Sequence, residues 1–195
     1  MLVGDTFRNL GRGLRSFRLI VDQCDAIGVQ SLMLVFIVSL FTGAVAAVQA
    51  AYQFTNVVPL KFIGSVILRS VIIELGPVLT ALIVGGRVGA SIAAELGTMR
   101  VTEQIDALEA MAINPVRYLV VPRVVAAVIM LPALCSLANL IAIIGGWLVC
   151  VSSLGVSTHT YVTGMKTFFF MKDLMSGLIK AFFFGGIIAW MGCYY

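Results

Sequence analysis

Residues 74–115 read ELGPVLTALIVGGRVGASIAAELGTMRVTEQIDALEAMAINP, and this stretch decides the fold of the chain. Its first half is an apolar helix candidate in which very small residues recur at every fourth position. Residues at that spacing share one face of a helix, and in lipid a face of small side chains permits two helices to pack closely. The positions on this face are Ala81, Gly85, Gly89, Ala93 and Gly97. The pattern therefore predicts a membrane helix packed closely against a neighbour.

The second half of the stretch changes character, because acidic and apolar residues are mixed from Thr98 to Pro115. This pattern is typical of a short amphipathic helix outside the membrane. We expect Thr102 to be its N-cap and Asn114-Pro115 to stop it. Such a helix is suited to docking into a groove of a cytosolic protein. The residues predicted to form the docking surface are Arg100, Glu103, Gln104, Ile105, Asp106, Leu108, Glu109 and Met111.

The composition excludes an ordinary soluble protein, because 61% of the 195 residues are hydrophobic and only 11% are charged. The intervals 26–60 and 124–165 contain no Asp, Glu, Lys or Arg, and each exceeds the roughly 20 residues that cross a bilayer as a helix. We predict an all-α integral membrane protein, folded as one domain over residues 1–195. Its predicted parts are an interfacial helix at 1–25, spans near 29–54, 75–96, 120–148 and 174–195, the cytoplasmic helix at 98–115 and an external segment at 155–172.

Basic residues predict the orientation of the spans. Arginines at positions 8, 12, 15 and 18 precede the first span, and three more flank the second turn, whereas the loop between the first two spans has only Lys61. The positive-inside rule therefore places the N-terminus and the 98–119 segment in the cytoplasm. Arginines beside a span are typical topological anchors, so we expect no nucleic-acid partner.

Residues 62–74 leave two structures open. They are mostly apolar and lead without a turn signal into Gly76-Pro77, which we expect to kink or interrupt the helix. One alternative is a long, tilted helix. The other is a re-entrant segment, whose irregular backbone has to contact protein or water.

Charged residues within the spans are the candidates for function, since each needs a partner or a hydrated cavity. They are Glu74, Arg87 and Lys180, with Asp173 two helical turns before Lys180. One hypothesis is a polar cavity for the headgroup of an amphiphile or a gating ion pair, lined also by Gln49. The alternative is structural, with a salt bridge or a snorkelling lysine and with Gln49 in an interhelical hydrogen bond. Arg87 is expected to snorkel or to tether the cytoplasmic end.

Enzyme signatures are missing from the sequence. There is one histidine, the four cysteines have no metal-binding spacing, and GGRVGAS lacks the Gly-Lys-Ser/Thr of a phosphate-binding loop. We therefore predict a non-catalytic chain with no bound metal or cofactor. If ATP supplies energy, another chain has to bind it.

The stretch from 74 to 126, with its ELGP, GRVGAS, AAELGTM, EQIDAL and NPVRY elements, resembles the central signature of the MlaE (YrbE-type) permeases of ABC lipid transporters. The resemblance implies a bacterial inner-membrane subunit that moves phospholipid or a similar hydrophobic molecule and supports outer-membrane lipid homeostasis. It also implies a second permease copy, an ATPase subunit that holds ATP and Mg, and a periplasmic lipid-binding protein of the mammalian-cell-entry class. Residues 98–115 would be the coupling helix, and Glu74, Asp173 and Lys180 would line the lipid pathway. Members of the family continue into one further helix, so the family's last helix is expected to be missing here.

Two rival functions remain open at this stage. An ion-coupled secondary transporter or channel would use Glu74, Asp173 and Lys180 as a relay, and a scaffold subunit would only anchor a cytosolic complex. The acidic helix after the small-residue span favours the ATP-driven permease over the first rival. The charges within the spans favour either transporter over the scaffold.

Overall fold

The computed structural model describes residues 17–53, 62–112, 114–167 and 169–194. Every regular element in these ranges is helical, so the predicted all-α class is confirmed. The α-helices are α1 Phe17–Ile27, α2 Leu32–Gln53, α3 Ile63–Ser70, α4 Gly76–Val84, α5 Ala90–Val101, α6 Gln104–Ala110, α7 Val121–Ser152, α8 Thr158–Thr167 and α9 Met171–Tyr194. A 3-10 turn at Val29–Ser31 joins α1 to α2, and π-helical turns occupy Val71–Leu75, Gly85–Gly89 and Val116–Val120.

Four helical runs are long and apolar enough to cross a membrane, which confirms the predicted number of spans. They are Phe17–Gln53, Ile63–Val101, Val116–Ser152 and Met171–Tyr194. The first three runs are longer than predicted, because helical structure continues beyond the apolar segments into polar residues at their ends. Most of the predicted interfacial helix at 1–25 lies outside the described residues, and α1 is its described part.

The second span is one continuous helical run from Ile63 to Val101, so the long-helix alternative is correct. Of the predicted kink or interruption at Gly76-Pro77, the interruption does not occur. The π turn Val71–Leu75 explains why the helix continues through the proline. It contains one extra residue, and the Gly76 N–H bonds to the carbonyl of Val71, five residues back. A π turn inserted in this way accommodates a local irregularity without ending the helix.

The predicted cytoplasmic helix is shorter than 98–115 and starts differently. Helix α5 runs on to Val101, and the hydroxyl of Thr102 bonds back to the carbonyl of Thr98, so Thr102 is not an N-cap. The chain reverses at Glu103, whose φ of 57° is left-handed, and α6 follows. Asn114 was predicted to help stop the cytoplasmic helix, but it also contributes to the helix that follows. Its Oδ1 accepts hydrogen bonds from the N–H groups of Val116 and Arg117, and it therefore caps the third helical run.

The chain divides into two compact units that each combine distant parts of the sequence. One unit comprises Met1–Ser31, Ala81–Pro132 and Phe182–Tyr195, and the other comprises Leu32–Thr80 and Ala133–Ala181. Helices α7 and α9 each contribute to both units. We call the first the terminal unit, since it holds both chain ends, and the second the middle unit.

The middle unit has an apolar core, and α8 of the predicted external segment packs on it. Tyr161 is 1% exposed and donates a hydrogen bond from its hydroxyl to the carbonyl of Ile143. Burial raises the pKa of Tyr161, so the phenol remains protonated as a donor. The helix therefore packs on protein along one side, which its composition did not indicate. The core consists of Ala47, Ala50, Ile63, Ile67, Val71, Ala142, Cys150, Val156 and Tyr161.

Helices α2 and α7 cross in the middle unit with their backbones in contact. A Cβ atom on Gly43 would overlap the carbonyl oxygen of Ala142, and one on Gly145 would overlap the carbonyl oxygen of Leu40. This pair of glycines makes the crossing possible, because any other residue would separate the two helices. Gly43 and Gly145, the small residues at this crossing, are not part of the small-residue face predicted from positions 81 to 97.

We predict that Gly43→Ala lowers the stability of the protein, although alanine is the better helix former. The added methyl group meets rigid backbone, and overpacking of this kind costs about 1–3 kcal/mol. Thermal unfolding followed by size-exclusion chromatography in detergent measures the effect. Gly186→Ala is the matched control, since its Cβ would lie 3.6 Å from one side-chain atom of Val128. Equal melting temperatures for the two variants would contradict the proposed crossing.

Candidate functional site

The candidate site in the middle unit begins with a backbone carbonyl whose usual helical donor, four residues later, is replaced by a proline. Pro77 has no N–H, so the carbonyl of Ile73, four residues earlier, cannot form the usual helical hydrogen bond. The ammonium group of Lys180 donates to this oxygen at 2.9 Å. Lys180 thus satisfies a backbone group that would otherwise be costly in an apolar setting. Lys180 was singled out from the sequence because its charge lies within an apolar span. In the structure it bonds to a carbonyl whose usual donor is removed by Pro77, more than one hundred residues earlier in the chain.

Close packing of α9 against the π turn brings Lys180 to this position. A Cβ atom on Gly177 would overlap the carbonyl oxygen of Ile72 and would lie 3.4 Å from the ring of Pro77. Gly177 is therefore the contact point of α9, and Lys180 follows one turn later on the same side. Because Gly177 lets α9 approach closely, the side chain of Lys180 reaches the carbonyl of Ile73.

Polar and apolar residues of α9 form an open, shallow surface beside this contact, which we call the α9 groove. Lys172, Ser176 and Lys180 are spaced by four residues and so share one face of the helix. Met171, Met175 and Ile179 lie next to them. Met171, Met175 and Ile179 are between 52% and 65% exposed. The groove therefore offers cationic donors beside flexible apolar side chains, the two features that an anionic amphiphile requires.

The predicted partners of Lys180 are placed differently. Glu74 is exposed on the π turn, next to the carbonyl that Lys180 binds. Among the ion pairs of the described residues, Lys180 pairs with neither Glu74 nor Asp173. Asp173 is instead 3.0 Å from the Nε of Arg69. The structure thus brings Glu74 and Lys180 to neighbouring backbone positions, while Asp173 belongs to a separate ion pair.

Arg69 was not among the predicted site residues, although it connects α3 to the start of α9. Its side chain is 48% exposed, that of Asp173 is 19% exposed, and its guanidinium carbon lies 5.8 Å from the ring centre of Phe170. An exposed pair contributes little stability, about 0–1 kcal/mol. A sequence signal existed, since Arg69 and Asp173 are opposite charges that each lie at the edge of an apolar stretch. A comparison of opposite charges on different predicted helices would have identified the Arg69–Asp173 pair as a candidate.

The remaining predicted positions are dispersed. Gln49 is exposed on α2. Of the small-residue face, Ala81 is 9% exposed, and a Cβ on Gly85 would be 3.4 Å from Ile188, so these two positions pack within the chain. A Cβ on Gly89 or Gly97 would meet nothing within 4 Å. The face is therefore divided between packed positions and open ones.

Arg87 forms the predicted tether at one end of the terminal unit. Its Nη1 donates to the hydroxyl of Ser31 at 2.6 Å, and its Nη2 donates to Oε1 of Gln30 at 3.0 Å. Ser31 is fully buried. The arginine thus holds the 3-10 turn between α1 and α2 against the second span, which is the structural role expected of it.

The predicted docking segment has no buried residues in α6. Met111 is 62% exposed and Val101 is 84% exposed, while Ile105 and Leu108 are half-buried. An ion pair of 2.9 Å between Arg100 and Asp106 connects α5 to α6, with both side chains more than half exposed. The segment presents apolar and acidic side chains together, as expected of a surface that binds another protein.

Comparisons with known proteins show which family the chain belongs to. A family model described as Permease MlaE matches residues 20–195. A probable ABC transporter permease protein of Rickettsia bellii is 45% identical over 91% of this chain and 69% of its own length. The intermembrane phospholipid transport system permease protein MlaE of Haemophilus influenzae is 35% identical over 97% of this chain and 78% of its own.

A more distant similarity extends to a plant organelle. The chloroplastic protein TRIGALACTOSYLDIACYLGLYCEROL 1 of Arabidopsis thaliana is 31% identical over 99% of this chain and 55% of its own length. The family model covers nearly all the described helices, including both the π turn before Pro77 and the segment around α6. The chain therefore belongs to the MlaE permease family.

Proposed function

We propose that this chain is the membrane subunit of an ABC transporter that moves phospholipid or a similar amphiphile between a bacterial inner membrane and a periplasmic carrier. The single observation that supports the lipid substrate best is the groove on α9, where Lys180 and Lys172 lie beside methionine and isoleucine side chains. In this proposal the flux supports lipid homeostasis of the outer membrane. The permease is not catalytic, and ATP and Mg bind to a separate ATPase subunit.

The chemistry of the groove suits a phospholipid headgroup. A phosphate oxygen accepts strong hydrogen bonds from an ammonium group, and Lys180 already donates to a neutral carbonyl that an anion can outcompete. The methionine side chains adapt to flexible acyl chains. Glu74, exposed beside the same π turn, then contacts a cationic part of a zwitterionic headgroup or repels a wrongly placed anion. Asp173 and Gln49 line the entrance to this pathway.

The segment around α6 couples the permease to the ATPase. Its exposed apolar residues insert into a groove of the partner, and its acids set the register. This assignment places the segment and the N-terminus in the cytoplasm, in agreement with the arginine-rich flanks. The α9 groove then opens toward the outer half of the membrane, where the periplasmic lipid-binding protein of the mammalian-cell-entry class receives the lipid.

A second copy of the chain completes the transporter. The open space around Gly89 and Gly97 supports this part of the proposal, because small residues on a membrane helix permit close contact with another helix.

The lipid site is tested by Lys180→Ala and Glu74→Ala. We expect both variants to insert and to fold, since leaving the Ile73 carbonyl without its donor costs about 1–3 kcal/mol. Loss of the charge-assisted contact to the headgroup reduces ATP-dependent lipid transfer in proteoliposomes by about ten-fold or more. Lys166→Ala on α8 removes an exposed lysine elsewhere and serves as the control. Wild-type transfer by Lys180→Ala would exclude the groove as the lipid site.

The coupling surface is tested by reversing Glu103 and Asp106 together to lysine. The reversed charges repel the basic side of the partner groove, so a co-expressed ABC ATPase should no longer co-purify, while membrane insertion is unchanged. Reversal of Asp22 and Asp25, two exposed acids on α1, is the matched control. Retention of the ATPase by the first double variant would place the docking surface elsewhere.

The second copy is tested by Gly89→Leu combined with Gly97→Leu. The chain itself has room for both side chains, so a loss of dimers reports a contact with another molecule. Mass photometry in nanodiscs should show monomers for this variant and dimers for the wild type. Val45→Leu, an enlargement at an exposed position of α2, is expected to remain dimeric. Dimers formed equally well by the leucine variant would rule out this face.

A further inference from the structure

A buried arginine in the terminal unit has no role in the fold or site described so far. Arg123, near the start of α7, is 2% exposed. Its Nη2 lies 2.8 Å from Oε2 of Glu95 on α5, and the side chain of Glu95 is 55% exposed. The pair therefore joins a fully enclosed cation to an acid that still reaches solvent.

A third helix contacts the same guanidinium. Cys193, near the end of α9, lies close to the Arg123 side chain. The Nη1 of Arg123 is buried and has no hydrogen-bond partner among the described residues. Since one nitrogen is left without a partner, the arginine depends on Glu95 for most of its compensation. A buried cation held in this way is sensitive to the loss of its one acid.

The helices around the Glu95–Arg123 pair are held together by close backbone contacts. A Cβ atom on Gly192 would lie 3.2 Å from the carbonyl oxygen of Gly89, and one on Gly185 would lie 2.6 Å from that of Ala127. These two contacts join α9 to the second and third helical runs on either side of Arg123. The ion pair is therefore located where three helices are already close together.

The Glu95–Arg123 pair also connects the two stretches of chain that lead into and out of the docking segment. The chain leaves α5 at Val101, six residues after Glu95, passes through α6, and returns through the π turn Val116–Val120, which ends three residues before Arg123. Glu95 and Arg123 thus join the outgoing and returning stems of the segment. The pair between Arg100 and Asp106 lies further out and is exposed on both sides, so it contributes less to the spacing of the stems.

We propose that Glu95 and Arg123 are positioning residues that clamp the two stems of the docking segment at a fixed spacing. With the stems fixed, a displacement of the segment is transmitted into the second and third spans. Without the clamp, the same displacement changes the spacing of the stems and is not transmitted to the spans. The inference rests on the proposed function only in assigning the source of the displacement to an ATPase, since the clamp itself is a property of this chain.

The clamp is tested first in the full chain alone, in nanodiscs without any ATPase. Nitroxide amino acids are placed at positions 101 and 118, whose native side chains are 84% and 43% exposed, and the native cysteines are kept. Pulsed electron spin resonance then measures the distance between the stems. We expect a narrow distribution for the wild type and a broader one for Glu95→Gln, which removes the charge with little change in shape. Asp25→Asn, an exposed acid on α1, leaves the distribution narrow.

Rescue separates positioning from a general loss of structure. Glu95→Asp keeps the charge and should restore most of the narrow distribution. If Glu95→Gln does not accumulate in the membrane, Arg123→Lys decides the question, because lysine keeps the charge but lacks the planar guanidinium whose Nη2 reaches Glu95. A distribution as narrow as that of the wild type, in whichever of these two variants accumulates, overturns the clamp.

The functional consequence is measured in proteoliposomes that contain the co-expressed ATPase. Glu95→Gln should still bind the ATPase and hydrolyse ATP, while the amount of lipid moved per ATP falls by about five-fold or more. An unchanged ratio overturns the coupling role. If the wild type moves no lipid, the proposed function fails, and the distance measurement still decides whether the clamp exists.

Discussion

Every polar group that this chain places in hydrocarbon has to find its partner within the protein, and that constraint governs the second span. Pro77 removes one donor from the helix, and the π turn before it shifts the preceding hydrogen bonds by one residue. The carbonyl of Ile73 is then satisfied by Lys180. This interaction requires α9 to approach closely, which Gly177 permits. The architecture of the middle unit near the candidate lipid site follows from that single unpaired carbonyl.

The arginines of the chain meet the same constraint with three kinds of partner. Arg87 bonds to a hydroxyl and an amide, Arg69 pairs with a partly buried acid, and Arg123 pairs with an exposed acid. Each connects elements that are far apart in the sequence, because a guanidinium offers several donors in a fixed geometry. Their differences in burial separate tethering from weak surface pairing. Of these three arginines only Arg123 is enclosed, and the proposed clamp with Glu95 rests on that burial.

The two candidate surfaces belong to different compact units, and this division suits a transporter powered from outside the chain. Lys180 and the α9 groove belong to the middle unit, whereas α6 and its stems belong to the terminal unit. Helices α7 and α9 contribute residues to both units.

The sequence by itself determined the all-α membrane class, the number of spans and the family. These follow from local properties, namely apolar length, charge distribution and contiguous motifs such as ELGP and AAELGTM. It also marked Lys180 and Arg87 as exceptional, since a charge within an apolar run is visible without any structure. What it could not supply was the partner of each charge, because a partner is chosen by how helices pack.

Only the tertiary structure decided those pairings. Asp173 was expected beside Lys180 because both lie on one helix, yet it pairs with Arg69 of another helix. Thr102 resembled an N-cap, but α5 continues past the expected boundary and Thr102 bonds backward, since helical propagation costs less than a new start. Pro77 predicted an interruption, and a π turn together with a distant lysine removed the need for one. No sequence pattern linked Glu95 to Arg123, because contact between the distant helices α5 and α7 is a property of packing and not of local pattern.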